Sequence, residues 1–160
     1  AIQVGGSQER GRRGGTQNVP GILAMAAAAQ SMHHERAEAA PRVQKLRDRL
    51  VAAIARGVPD AVVSGAGADR LPNIAHFCFE GVESESLLFM LERSDVMASA
   101  ASSCASGAQQ ASHVLAAMGI SGSIGSGVIR LSLGYPTTAE EVDAAGVAVV
   151  DVVNRIRSRG

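Results

Sequence analysis

One stretch of the sequence has residue types that could do nucleophilic chemistry. Cys104 stands among small residues, with Ser103 before it and Gly107 after it, shortly ahead of a helical pattern that starts near Ser112. A thiol on a small-residue loop can move toward a substrate, as a mobile nucleophile must. Small residues also simply form loops, and no cluster of basic residues surrounds the cysteine. Local features alone therefore favour an inert surface cysteine over a reactive one.

A second stretch with a chemical use is the glycine- and arginine-rich segment of residues 1–18. Its backbone N–H groups, its arginines and the hydroxyl of Thr16 could hold a phosphate. The segment matches neither the Walker A pattern nor the dinucleotide fingerprint. On pattern alone, a phosphate site and a flexible terminus are equally good interpretations.

The remaining cysteine and the histidines favour structural roles. Cys78 lies in a strand pattern and is interpreted as a small buried hydrophobe. His33 and His34 are neighbours on a helix, where their side chains point about 100° apart and do not easily share a metal. His76 on a strand and His113 at a helix start are interpreted as packing or capping residues. Two cysteines cannot form a four-ligand zinc site alone, so no metal site is predicted.

The composition describes an ordinary globular domain. The 160 residues are 46% hydrophobic and carry fifteen basic and fifteen acidic residues. This balance gives no case for nucleic acid or an anionic membrane as partner. No apolar run approaches the ~18 residues of a membrane helix, and the first residues lack a signal-peptide layout. The cytoplasm is therefore the expected location.

Helical and strand patterns alternate along the chain. Two separate helices are predicted at 21–40, after Asn18 as a cap, and at 41–56, with Pro41 dividing them. Further helices are predicted at 83–93, at 113–118, and from the capping box at Thr138 to about Arg157. Strands are predicted at 61–63, 74–79, 96–99 and 128–133, and alternation in the last places Arg130 and Ser132 on the face opposite Ile129 and Leu131. The interleaving predicts an α/β or α+β fold in which a small sheet packs against helices.

Four segments together resemble the cysteine desulfurases, which are pyridoxal-phosphate enzymes of the class V aminotransferase group. Residues 5–20 resemble the pattern GGGQERGxRSGTxNVPxI, and residues 71–88 resemble LPN…GVxxESLL. Residues 103–119 resemble the active cysteine followed by SxxxSHVLxAMG, and residues 130–143 resemble RxSLG…TTxEEID. The order and spacing of these motifs cover nearly the whole chain.

The resemblance implies a role for three residues. Cys104 matches the nucleophile that takes the sulfur of L-cysteine as a persulfide and leaves L-alanine. Arg130 matches the arginine that holds the substrate carboxylate, and Thr16 matches a threonine that hydrogen-bonds the cofactor phosphate of the other subunit in a homodimer. The resemblance further implies that the persulfide sulfur passes to an acceptor, such as an iron–sulfur scaffold protein.

The resemblance also implies that this chain is the carboxy-terminal part of a longer enzyme. A pyridoxal-phosphate enzyme needs a lysine for its Schiff base, and the only lysine here is Lys45, on the charged face of a helix pattern. The chain alone is therefore not expected to bind pyridoxal 5'-phosphate covalently or to be active. Its expected parts are a loop of the cofactor domain, residues 1–18, and the small carboxy-terminal domain of a fold-type I enzyme, residues 19–160, with the cysteine loop at about 99–111.

Two alternatives remain open on the sequence. The chain could be a stand-alone persulfide carrier or a binding module without cofactor chemistry. Within the enzyme class, a selenocysteine lyase-like specificity also remains open.

Overall fold

The computed structural model describes residues 2–100, 112–120 and 122–158, with the side chains of residues 122 and 123 left aside. The predicted cysteine loop at 101–111, and with it Cys104, lies outside the described residues. The chain divides into two compact units, Ala1–Glu38 and Ala39–Gly160.

The first unit contains a tight glycine-containing loop and the beginning of a helix. The loop has a 3₁₀ turn over Gln8–Gly11. Its two arms approach so closely that a Cβ at Gly14 would lie 2.7 Å from the backbone nitrogen of Gly5, which excludes any larger residue. Asn18 accepts a hydrogen bond from the N–H of Gly21 at 3.1 Å, which confirms its predicted capping role.

Helix α1 spans Val19–Gly57 and includes Pro41. The prediction of two helices divided at Pro41 is therefore wrong. A proline inside a helix removes one backbone hydrogen bond and crowds the preceding turn. The alanine-rich turns before it and the buried Val43, Leu50 and Ile54 after it favour helix strongly enough to keep the chain helical through that defect.

The described strands form one antiparallel sheet in the order β1-β2-β3, with β1 at Val62–Val63, β2 at Ile74–Phe79 and β3 at Gly127–Ser132. The strand predicted at 96–99 is wrong, because only Ser99 pairs with the sheet, as a single bridge to Arg130. Asp95 just before this segment has φ of 57°, so the chain turns there and reaches the sheet with one residue only.

Helices α2 (Ser84–Glu92), α3 (His113–Ala117) and α4 (Ala139–Arg157) agree with their predicted positions. The capping box is confirmed, since Thr138 accepts from the N–H of Glu141 and the Glu141 carboxylate accepts from the N–H of Thr138. One face of the sheet forms the main core with residues of α1, α2 and α4. The largest fully buried members of this core include Phe77, Phe79, Ile54, Leu87, Leu91 and Ile129. The helices and small antiparallel sheet agree with the predicted fold class.

Candidate functional site

The second face of the sheet carries the polar residues of β2 and β3. Side chains alternate along β3, so that Ile129 and Leu131 are buried in the core while Arg130 and Ser132 are exposed on the opposite face. This alternation confirms the predicted placement of Arg130 and Ser132. The face is therefore open to solvent at the position of the predicted carboxylate-binding arginine.

Arg130 has a backbone pairing partner on each side, Ser99 as a single bridge and His76 on β2. Its N–H donates to the carbonyl of Ser99 at 2.7 Å, and its carbonyl accepts from the N–H of Ser99 at 3.1 Å. Both polar backbone groups of Arg130 thus point away from β2, where its partner in the register is His76. In an antiparallel sheet such a pair is the non-hydrogen-bonded kind, with Cα atoms about 4.5 Å apart and the side chains closest. His76 and Arg130 are therefore direct neighbours on the open face.

The guanidinium of Arg130 has no acidic partner in the described part of the chain, where none of the ion pairs involves it. An exposed arginine with its five donors free can bind a carboxylate in bidentate fashion. The open face therefore offers a cation suited to an anionic ligand.

His76 is held by Ser64, which follows β1. The backbone N–H of Ser64 donates to the carbonyl of His76 at 3.0 Å, and the Ser64 hydroxyl lies 2.8 Å from Nδ1 of the imidazole. Partial burial, and secondarily the positive charge of Arg130, lower the pKa of His76 below its ordinary value. The imidazole is thus fixed in position and neutral over most of the physiological range.

The sequence predicts a structural role for His76 and gives no functional signal at Ser64. The one available signal was the spacing of His76 and Cys78, which places both side chains on the same face of a strand. The register that brings Arg130 beside them comes from strand pairing and could not be deduced from spacing.

Cys78 is buried, as predicted, and lies two residues beyond His76 on the same face of β2. The sulfur lies 3.6 Å from the hydroxyl of Ser64. Burial raises the pKa of the Cys78 thiol, and the Ser64 hydrogen bond lowers it in part. A small apolar cluster of Cys78, Leu115 and Val128, with Val62, Ile120 and Ile124 packed against it, surrounds the thiol. This environment stabilises a protonated, inert cysteine.

Helix α3 contributes Leu115 to that cluster and is short. Ser112 accepts from the N–H of Leu115 at 3.5 Å, and Gly119 follows the helix with φ of 77°, the conformation that favours glycine at a helix end. Both ends agree with the sequence prediction. His113 begins the helix and is exposed.

Thr16 is exposed and belongs to the first unit, whereas Arg130 belongs to the second. One guanidinium nitrogen of Arg13, Nη1, donates to the carbonyls of Gly15 and Thr16 at 3.2 and 2.9 Å. The N–H of Gly15 donates to the Gln8 side chain at 3.2 Å. No hydrogen bond engages the Thr16 hydroxyl within the described residues, so it can contact a ligand.

Lys45 is exposed on α1, as its helix pattern predicted. The buried residues on that turn of α1 are Val43 and Arg47. Across the described residues there is no cluster of histidine, cysteine and carboxylate side chains that could hold a metal, and no helix apolar and long enough to cross a membrane.

The sequence and fold identify the family. Residues 4–145 match the family model described as aminotransferase class-V. The chain therefore belongs to the class V aminotransferase family.

Its relatives within that family include several cysteine desulfurases. The chain is 42% identical over 158 residues to the cysteine desulfurase NifS of Azotobacter vinelandii, with 96% of this chain and 38% of the relative covered. It is 40% identical over 154 residues to the cysteine desulfurase IscS of Methanosarcina thermophila, again with 96% and 38% covered. Among solved structures, a NifS-like protein superposes with a TM-score of 0.79 at 33% identity, over 96% of this chain and 39% of that one.

The chain thus spans about two fifths of the length of the curated relatives it matches. This share agrees with the prediction that it corresponds to the carboxy-terminal part of such an enzyme.

Proposed function

We propose that this chain is the part of a cysteine desulfurase that supplies the nucleophilic Cys104 and the carboxylate-binding Arg130. The observation that carries the proposal is the exposed guanidinium of Arg130 on the open sheet face, without an acidic partner in the described residues. Similarity to the cysteine desulfurases supplies the reaction class.

The proposed reaction transfers one sulfur atom and balances without an external oxidant. The Cys104 thiolate attacks the sulfur of bound L-cysteine, an S–S bond forms, and the substrate C–S bond breaks. The electron pair of that bond stays on carbon, which takes up a proton to give L-alanine. Arg130 fixes the substrate through its carboxylate, so that the substrate sulfur is presented in one orientation. The persulfide then passes its outer sulfur to a thiol of an acceptor protein, for which an iron–sulfur scaffold is our candidate.

Pyridoxal 5'-phosphate, when bound, supplies the electron sink that weakens the C–S bond. The residues of this chain fit only the phosphate end of that cofactor, through the exposed Thr16 and the closely packed Gly5 and Gly14 loop. Lys45 is unsuited to the Schiff base because it stands exposed on α1. We therefore assign the Schiff-base lysine to residues outside this sequence and Thr16 to the phosphate of a partner subunit in a homodimer.

The predicted division into a loop of the cofactor domain, residues 1–18, and a small domain, residues 19–160, is part of this proposal. So is a cytoplasmic location.

The decisive experiment compares two cysteine variants of the complete, cofactor-loaded protein. Cys104→Ala should reduce sulfide release from L-cysteine to background, whereas the buried Cys78→Ala should retain it. Normal sulfide release by Cys104→Ala would remove Cys104 from the reaction. Absence of sulfide release by the unaltered complete protein would favour a persulfide carrier, and a higher kcat/KM for selenocysteine than for cysteine would reassign the substrate.

A further inference from the structure

We propose that His76 is a second binding residue of the carboxylate site, which takes up a proton as it and Arg130 together hold the ligand's carboxylate. The inference rests on the proposed role of Arg130 and adds a residue and a pH response to it. It concerns the open sheet face and the described residues alone.

His76 and Arg130 are direct partners in the β2–β3 register, and both polar backbone groups of Arg130 are used by Ser99 on the opposite side. The pair is therefore of the kind in which cross-strand side chains approach most closely. A carboxylate seated on the guanidinium lies within reach of the imidazole.

The two ring nitrogens of His76 differ in what they contact. Ser64 engages Nδ1 at 2.8 Å, and the described residues provide no hydrogen-bond partner for Nε2. Nε2 is therefore the nitrogen that can donate to a carboxylate once it carries a proton.

Ser64 can accommodate a charged imidazole. A hydroxyl accepts as well as donates, so Ser64 can accept from Nδ1–H while its own proton points to the Cys78 sulfur at 3.6 Å. The hydrogen-bond chain Cys78–Ser64–His76 thus needs only a rotation of the hydroxyl when His76 becomes protonated.

A carboxylate bound to Arg130 changes the electrostatic environment of His76. His76 faces Arg130 from β3, and its other polar neighbours are Ser64 after β1 and Cys78 on its own strand, with Ser99 beyond Arg130. Arg130 is the charged group that disfavours the imidazolium. A carboxylate on Arg130 cancels that charge, so His76 binds a proton more readily in the ligated state. By linkage, carboxylate affinity increases as pH falls.

The test uses the complete protein with its cofactor and propionate as the probe, because propionate has a carboxylate but no amino group to react with the cofactor. Calorimetric titrations near pH 6.5 in two buffers of different ionisation enthalpy give the number of protons taken up on binding. The unaltered protein should take up part of a proton per site, and its propionate affinity should increase as the pH is lowered from about 8.5 to about 6, the range around the ordinary histidine pKa.

Three variants separate the contributions. His76→Asn should abolish proton uptake and weaken propionate binding about 3- to 10-fold at pH 6, with little change at pH 8.5. Arg130→Gln should abolish measurable binding. The control His33→Asn, an exposed histidine of α1, should behave like the unaltered protein.

Wild-type proton uptake in His76→Asn would overturn the inference, as would binding by the unaltered protein that is absent or independent of pH. The binding measurement on the unaltered protein needs no variant, so a misfolded variant cannot hide a failure of the inference. Propionate binding with proton uptake in a protein that releases no sulfide would refute the proposed function and leave this inference standing. Sulfide release by a protein that takes up no proton on binding propionate would refute this inference and leave the proposed function standing.

Discussion

Gly127 lies against the carbonyl oxygen of Phe79, its partner in the β2–β3 register. A Cβ built on Gly127 would be 2.3 Å from that oxygen and 2.7 Å from the carbonyl oxygen of Val82. Both contacts are with backbone atoms, which cannot rotate away as a side chain can. Gly127 is thus required where β3, the strand that carries Arg130, begins.

We therefore expect Gly127→Ala to lower the free energy of unfolding by about 1–3 kcal/mol, the usual cost of overpacking. Gly67 is the matched control, because nothing lies within 4 Å of a Cβ there. Gly67→Ala should change stability by less than about 0.5 kcal/mol. Thermal or urea unfolding of both variants measures the difference, and equal stability would show that the backbone at Gly127 yields without cost.

Elements with a strong local signal could be predicted from the sequence almost to the residue. The Thr138–Glu141 capping box placed α4, and alternation in β3 placed Arg130 on the open face. Local signals mislead at Pro41. The helical preference of the residues on both sides outweighs the cost of the proline, so α1 continues through it. Local signals mislead again at 96–99, where the chain pairs with the sheet at Ser99 only.

The proposed carboxylate site contains one residue that the sequence predicts, Arg130, and one that it does not, His76. Arg130 was recognisable through motif and alternation. The neighbourhood of His76 depends on strand register and on a serine in a glycine-rich connection, and neither leaves a local pattern. Cross-strand neighbours depend on how the strands pair in the folded protein, and no local sequence pattern specifies that pairing.

The capping box of α4 provides a second stability prediction. Thr138 and Glu141 satisfy each other's backbone N–H groups at the start of the helix. Thr138→Ala should cost about 1 kcal/mol in unfolding free energy, whereas Thr138→Ser, which keeps the hydroxyl, should cost much less. Equal losses in the two variants would indicate that the threonine methyl group, and not the cap, is responsible.

His76 should make stability depend on pH. Its pKa in the folded protein is lowered, chiefly by burial and also by Arg130. As the pH drops, His76 therefore takes up a proton in the unfolded chain at a higher pH than in the folded protein. The free energy of unfolding falls as the pH drops through the ordinary histidine pKa toward the lower folded value. The slope contributed by this residue stays below about 1.4 kcal/mol per pH unit, the limit for one proton. Unfolding of the unaltered protein and His76→Asn between pH 5 and 8 should differ in this slope, and parallel curves would contradict the assignment.

Lys45 should be dispensable for cofactor binding in the complete protein. It is exposed on α1, and its helical neighbours Val43 and Arg47 are the buried residues of that turn. Lys45→Arg keeps the charge and removes the primary amine. We expect this variant to retain the cofactor's visible absorbance and sulfide release within about twofold, as for an ordinary surface substitution. Loss of the absorbance band would place the Schiff base on Lys45 and contradict the proposed division of the enzyme.

Arg130 provides the most direct prediction for activity, because charge and geometry can be separated there. Its guanidinium is exposed beside His76 and has no acidic partner in the described part of the chain. Arg130→Lys keeps the charge but loses bidentate geometry, and Arg130→Gln loses both. We expect KM for L-cysteine to rise about tenfold or more in Arg130→Lys and further in Arg130→Gln, since charge-assisted bidentate bonds are among the strongest polar contacts. Ser132→Ala, on the same exposed face of β3, is the control and should leave KM nearly unchanged. An unchanged KM in Arg130→Gln would place the substrate carboxylate elsewhere.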